Sequence, residues 1–198
     1  MAGLLFLAFA YFVVGQAAVV RNGAQTAADA AALAAAQDAR DQLRREWMKV
    51  ISDPERWEYF LQGRVLDEYS ACQEAGVLAA RNGATVPRGG CVSLNSEHGG
   101  FVVTVHTSGT VGRSVIPGTD SRHGVASARA LIEPKCSLYF SEDHRPEGSP
   151  VEPGEDGDQE FPDAGISCEG DIWIIDPDSP KLPSAKDLFS VRLASVDE

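Results

Sequence analysis

The stretch "RNGAQTAADAAALAAAQDAR", residues 21–40, is half alanine and follows directly on "MAGLLFLAFAYFVVGQAAVV", residues 1–20. Alanine has the highest helix propensity and loses no side-chain entropy on ordering. Its spacing here is regular. Ala24, Ala28, Ala32 and Ala36 form one i,i+4 row, and Ala27, Ala31, Ala35 and Ala39 form the adjacent one. Gln25, Asp29, Gln37 and Asp41 fall on another face. Two rows of small side chains let another backbone approach closely. They therefore predict a packing surface for a partner helix, in cis or in trans. If the partner is another molecule, Ala28→Leu with Ala31→Leu disrupts assembly and leaves the rest of the chain folded. The helix is expected to run unbroken through residues 21–51, until the Asp53-Pro54 step stops it, because a residue before proline avoids the α region. Together with residues 1–20 it makes a rod of roughly 70 Å at 1.5 Å per residue.

Residues 1–20 hold one strongly polar side chain, Gln16. About 20 apolar residues match the ~30 Å hydrocarbon core of a bilayer, so the run reads as a single transmembrane segment. Two other readings stay open: a secretory signal cleaved near Gly15–Ala17, and a buried helix of a soluble protein. The basic n-region of a signal is missing. Arg21 alone flanks the span, and the positive-inside rule taken literally puts the rest of the chain in the cytoplasm. The missing basic flank also suggests a start further upstream. The cysteines, below, argue for the opposite orientation, with residues 54–198 outside the cell membrane.

The apolar span, Arg21, Ala24-Gln25 and the run Ala27-Ala28-Asp29-Ala30-Ala31-Ala32-Leu33-Ala34 resemble the N-terminus of TadE/TadG-like proteins, pseudopilin-like assembly components of the tight-adherence (Flp-type) pilus. The resemblance covers about the first 40 residues. It implies a membrane-anchored protein with an extracytoplasmic C-terminal region, working with other pilin-like or Tad-system proteins and able to form homo-oligomers. The polar leader usual before the span in that family is not present here. The alanine content, with 13 Arg against 4 Lys, suits an actinobacterial source.

Formal net charge is −12. Residues 1–140 balance at 13 acidic and 13 basic side chains, and residues 141–198 carry 16 acidic against 4 basic. No basic stripe is available to displace counterions from phosphates, which sets nucleic-acid binding aside.

Residues 54–198 read as a small α+β domain. A second helix is expected from Pro54 to about Arg81, with Asp53 as N-cap, Pro54 at N1 and Asn82-Gly83 as its stop. Trp57, Phe60, Leu61, Val65, Leu66, Tyr69 and Cys72 recur at three- and four-residue steps and suggest its core face. "CVSL", "GFVVTVHTS", "VASARALIEPKCSL", "GDIWIIDP" and "LFSVRLA" predict four or five strands in a mostly antiparallel sheet, with the second helix on one face. The acidic, Pro- and Gly-rich stretch of residues 141–165 cannot bury enough apolar surface to order itself and is expected as a disordered loop. Its Glu155, Asp156, Asp158 and Glu160 lack EF-hand spacing.

Four cysteines, Cys72, Cys91, Cys136 and Cys168, show no CxxC or zinc-like spacing. An even count beyond a membrane span suggests two disulfides and an oxidising compartment. Of three pairings, Cys72–Cys91 and Cys136–Cys168 are favoured, each joining neighbouring elements, the second across the acidic loop. No catalytic constellation is visible. His98, His106, His123 and His144 are scattered, Asp120, Ser121 and His123 are mere sequence neighbours, and no nucleophile elbow, phosphate loop or dinucleotide fingerprint occurs. The reading is a non-enzymatic protein without cofactor or metal. The competing function is a cell-surface binding module on a helical stalk.

Overall fold

The computed structural model describes residues 2–95, 98–110, 122–140, 164–175 and 182–196. Helix α1 (Ala2–Lys49) is continuous over 48 residues. No proline occurs before Pro54, and alanine, leucine, glutamine and arginine dominate residues 24–49. It ends where the Val50 amide bonds the Trp47 carbonyl and the Asp53 amide bonds that of Val50, just before Pro54.

The expected single helix from Pro54 to Arg81 is instead three pieces: a 3-10 turn at Pro54–Arg56, α2 (Trp57–Leu61) and α3 (Glu68–Arg81). The break lies at Gly63, whose φ of 71° is left-handed. Its carbonyl oxygen sits where a Cβ on Gly99 would be, so Gly99 is held to glycine by a close backbone approach and Gly63 by its left-handed φ. Asp53 starts the turn without a side-chain hydrogen bond to it. The true cap is Asp67, which accepts from the Ser70 amide at 3.2 Å. Breaking the helix shifts its phase. Trp57 and Leu61 are buried, Tyr69 is exposed, and α3 turns Ala71, Ala75 and Ala79 inward.

Eight strands are described, all antiparallel: β1 (Ala84–Thr85), β2 (Cys91–Asn95), β3 (Gly99–Thr110), β4 (His123–Pro134), β5 (Cys136–Phe140), β6 (Ala164–Cys168), β7 (Asp171–Ile174) and, after α4 (Ala185–Leu188), β8 (Phe189–Ala194). They make two sheets rather than one. β1 and β2 share one edge of β3, followed by β4 and β8; β5, β6 and β7 form the second sheet. The run expected as one strand, "VASARALIEPKCSL", divides at Lys135 between the sheets, and β1 and β6 were not foreseen. Of the expected loop 141–165, residues 141–163 lie outside the described residues, while Ala164 and Gly165 open β6.

The layer on the large sheet is α1 with α3 beside it, where the second helix alone was expected. β3 offers Phe101, Val103 and Val105, and β4 offers Ala128, Ala130 and Ile132, all buried. In register Phe101 faces Ala130 and Val103 faces Ala128, so bulky side chains on one strand alternate with small ones on the next. Polar bonds mark both borders of α1. Toward α3, the Ser70 hydroxyl donates to Asp38 at 3.2 Å and Gln42 donates to the Asp67 carbonyl at 3.4 Å. Toward the sheet, Gln25 donates to the Ser127 carbonyl at 3.4 Å and Arg44 to the Pro183 carbonyl at 2.8 Å. The core is completed by Leu43, Trp47, Ile132, Leu188 and Phe189. Trp47 and Trp57 meet edge-to-face at 5.7 Å, and the Trp57 indole donates to the Val50 carbonyl.

The alanine stripe is therefore inside the molecule. Ala24, Ala27, Ala28, Ala31, Ala32, Ala35, Ala36 and Ala39 each have 0% exposure, so their partners are in cis: the sheet and the alanines of α3. Bulky replacements there overpack a closed core at about 1–3 kcal/mol each. Ala28→Leu with Ala31→Leu is thus expected to lower the thermal midpoint by roughly 10 °C, read by circular dichroism, instead of leaving the domain intact. An unchanged midpoint would mean the stripe is not packed as described.

One surface bond gives a pH-dependent prediction. The Ser93 hydroxyl and then its amide donate to Glu68, tying α3 to β2 and holding that carboxyl below its ordinary 4.5, with slight opposition from desolvation. A depressed folded value stabilises above the unfolded pKa and is lost as pH falls through the folded one. Glu68→Gln should therefore lower the midpoint modestly at neutral pH, with the difference from the parent closing as the pH falls below the ordinary carboxylate range; a difference that stays constant into acid would exclude this origin.

Candidate functional site

Helix α1 changes character at Val20. Every described side chain from Gly3 to Val19 is exposed, although most are apolar. Leu4, Phe6, Leu7, Tyr11 and Val19 stand in the open, Tyr11 at 84%. A Cβ added to Gly3 or Gly15 would meet nothing within 4 Å. From Ala24 onward the inner face is closed. By its described side chains, one helix is thus an exposed apolar projection in its first half and a core element in its second. Exposed Leu, Phe and Val along one helix make a surface that water does not favour, of the kind seen where proteins meet lipid or other proteins.

Among the described residues, no helix is long and apolar enough to cross a membrane. Half of the side chains in residues 1–20, among them Leu5, Phe12, Val13 and Val14, lie outside the described ones.

Two open clefts flank α1 on the α3 side. One, about 450 Å³, is lined by Ala30, Leu33, Ala34, Gln37, Asp38, Asp41, Glu74 and Leu78. The other, about 440 Å³, lies between Gln42, Arg45, Glu46, Phe60, Leu66, Asp67 and Ser70. The carboxylates of the first are partly engaged: Asp41 pairs with Arg40 at 2.9 Å, and Asp38 accepts from Gln42 and Ser70. Neither cleft is lined by a cysteine or a histidine. His106 and His123 are both exposed, and His123 Nδ1 lies 2.6 Å from the Thr107 carbonyl. Asp120, Ser121, His144 and the acidic set Glu155, Asp156, Asp158 and Glu160 lie outside the described residues. Among those described, no group of His, Cys, Asp or Glu is placed to hold a metal ion.

The cysteines pair as Cys72–Cys91 and Cys136–Cys168, with Cα separations of 5.8 and 4.1 Å. The first ties α3 to β2. The second joins directly opposed residues of β5 and β6 and closes the chain across residues 141–163. A loop of that length contributes about 3–4 kcal/mol in the chain-entropy model. Replacing Cys136 and Cys168 by serine should lower the thermal midpoint by roughly 10 °C; a shift of under 2 °C in a calorimetric scan would show that the bridge does not constrain the unfolded chain.

No curated protein and no solved structure matches the chain. The family model of putative Flp pilus-assembly TadE/G-like proteins matches residues 1–38. This match spans the exposed apolar projection and most of the buried alanine stripe, and it makes the N-terminal segment of the chain TadE/G-like.

Proposed function

We propose that the chain is a membrane-anchored, pseudopilin-like component of a Tad/Flp-type pilus assembly or secretion system, its disulfide-bonded domain carried outside the cell membrane. The observation that carries this is the coincidence, in one segment, of the TadE/G-like match with an apolar helix whose described side chains before Val20 are all exposed. Residues 1–20 are long enough to cross a bilayer, and the exposed Leu4, Phe6, Leu7 and Tyr11 suit hydrocarbon or another apolar helix. Two disulfides support an oxidising compartment. The role is one of assembly through helix contacts, without catalysis.

Burial of the alanine stripe moves the contact surface. Neighbouring pilin-like helices, or a second copy, would meet residues before Ala24 rather than residues 24–39. The same burial favours a second reading, a surface binding module on a membrane anchor with no pilus role, because the stripe serves this chain's own core.

A photocrosslinking residue at Tyr11 of the full chain, activated in cells and followed by mass spectrometry, separates the two. Adducts to other short pilin-like or Tad-system proteins are expected for the assembly role. Adducts to lipid alone would leave the anchored module.

A further inference from the structure

The β3–β4 hairpin reaches back along α1 to the level at which the helix stops being buried. A Cβ on Gly124 would lie 3.0 Å from Val20 Cγ1 and 3.1 Å from the Val20 carbonyl oxygen, a tight fit that brings β4 close against the helix. One step along, Gln25 reaches the Ser127 carbonyl. The start of β4 is tied to β3: the Gly124 amide donates to Thr107 Oγ1 at 2.8 Å, and His123 Nδ1 lies on the Thr107 carbonyl. This end of the domain therefore has a set position along the helix.

Its exposed chemistry differs from the rest of a chain of net charge −12. Arg21, Arg122 and His123 are all exposed there, and among the described residues neither arginine has a carboxylate partner. Beside them stand two exposed valines, Val19 at the end of the apolar projection and Val125 at 57%. Cations level with the last exposed apolar residues of an emerging helix are placed as headgroup contacts are placed, with the aliphatic groups just below them.

We propose that Arg122 and His123 at the start of β4, together with Arg21, are a seat for an anionic lipid surface that fixes the depth and tilt of α1. The proposal rests on the membrane reading above and adds its polar boundary. The partner is anionic headgroups rather than a protein because the basic residues are continuous with the apolar projection and their charge opposes that of the chain as a whole. Each basic side chain at such a surface raises local partition about fivefold.

The test uses the full chain in liposomes, either wholly phosphatidylcholine or containing phosphatidylglycerol, with p-benzoylphenylalanine in place of Val125. Val92, similarly exposed but on β2 toward the other end of the sheet, serves as the control site. With anionic lipid, position 125 should give several-fold more lipid adduct than position 92. Arg122→Gln should cut that yield about fivefold, and Arg122→Lys should preserve it. Equal yields at the two sites, yields indifferent to anionic lipid, or protein adducts in place of lipid would overturn the proposal. Alkaline carbonate extraction of the same liposomes distinguishes the two levels. A chain released by carbonate removes the membrane reading itself, whereas a retained chain without lipid adducts at 125 removes only the headgroup seat.

Discussion

An alanine side chain ends one carbon from the backbone, so a helix faced with eight of them lies deep against its neighbours. In this chain α1 is pressed against the large sheet and against α3, and both supply small or alternating side chains to receive it. Alanine burial itself yields little per residue. The gain comes from letting Leu43, Trp47, Trp57, Phe101 and Phe189 close around the ends of a thin, tightly seated rod. Most of the rest depends on that seating. Gly124 brings β4 close against the helix at Val20, and Gly63 and Gly99 let the α2–α3 connection close over the start of β3.

The same seating couples the domain to whatever holds residues 2–19. Because α1 is unbroken from Ala2 to Lys49, there is no flexible linker between the apolar projection and the core. A tilt or displacement of the projection is transmitted to the sheet as a rigid-body motion. This is the physical content of a stalk that is also a core helix. It differs from a domain tethered on an independent rod, where anchor and fold move separately. The two disulfides act at other places, tying α3 to β2 and β5 to β6.

Much of this was legible in the residues, for stated reasons. Regular i,i+4 alanines gave the helix and its close-packing face, and the Asp53-Pro54 step gave its end. Val- and Phe-rich runs bounded by turns located most of the strands, and chain neighbourhood favoured the disulfide pairing that is found. What the stripe packs against was not legible, because a small-residue face fits a sheet, a helix of the same chain or another molecule equally well. A complementary signal did exist. Ala126, Ala128 and Ala130 alternate along β4, and small residues on one strand face are what a deeply seated helix requires. The stripe from Trp57 to Cys72 does face the core, Tyr69 apart, but it did not show the break in the helix, because a periodicity cannot reveal a left-handed glycine such as Gly63. β6 was missed because Ala164 and Gly165 share the composition of the acidic stretch before them. The basic pair at the start of β4, Arg122 and His123, could not be found from sequence at all, since only the fold brings it beside Arg21.

The central claim is that one half of α1 belongs to the folding unit and the other half does not. Amide hydrogen exchange along α1, measured on the full chain in lipid nanodiscs across a urea series, tests it most directly. Amides of residues 24–47 should lose protection together with those of β3 and β4, as one cooperative unit, while residues 4–19 stay protected by the bilayer. Exchange in 24–47 that precedes opening of the sheet, or that follows 4–19 instead, would show a stalk independent of the domain and contradict the account.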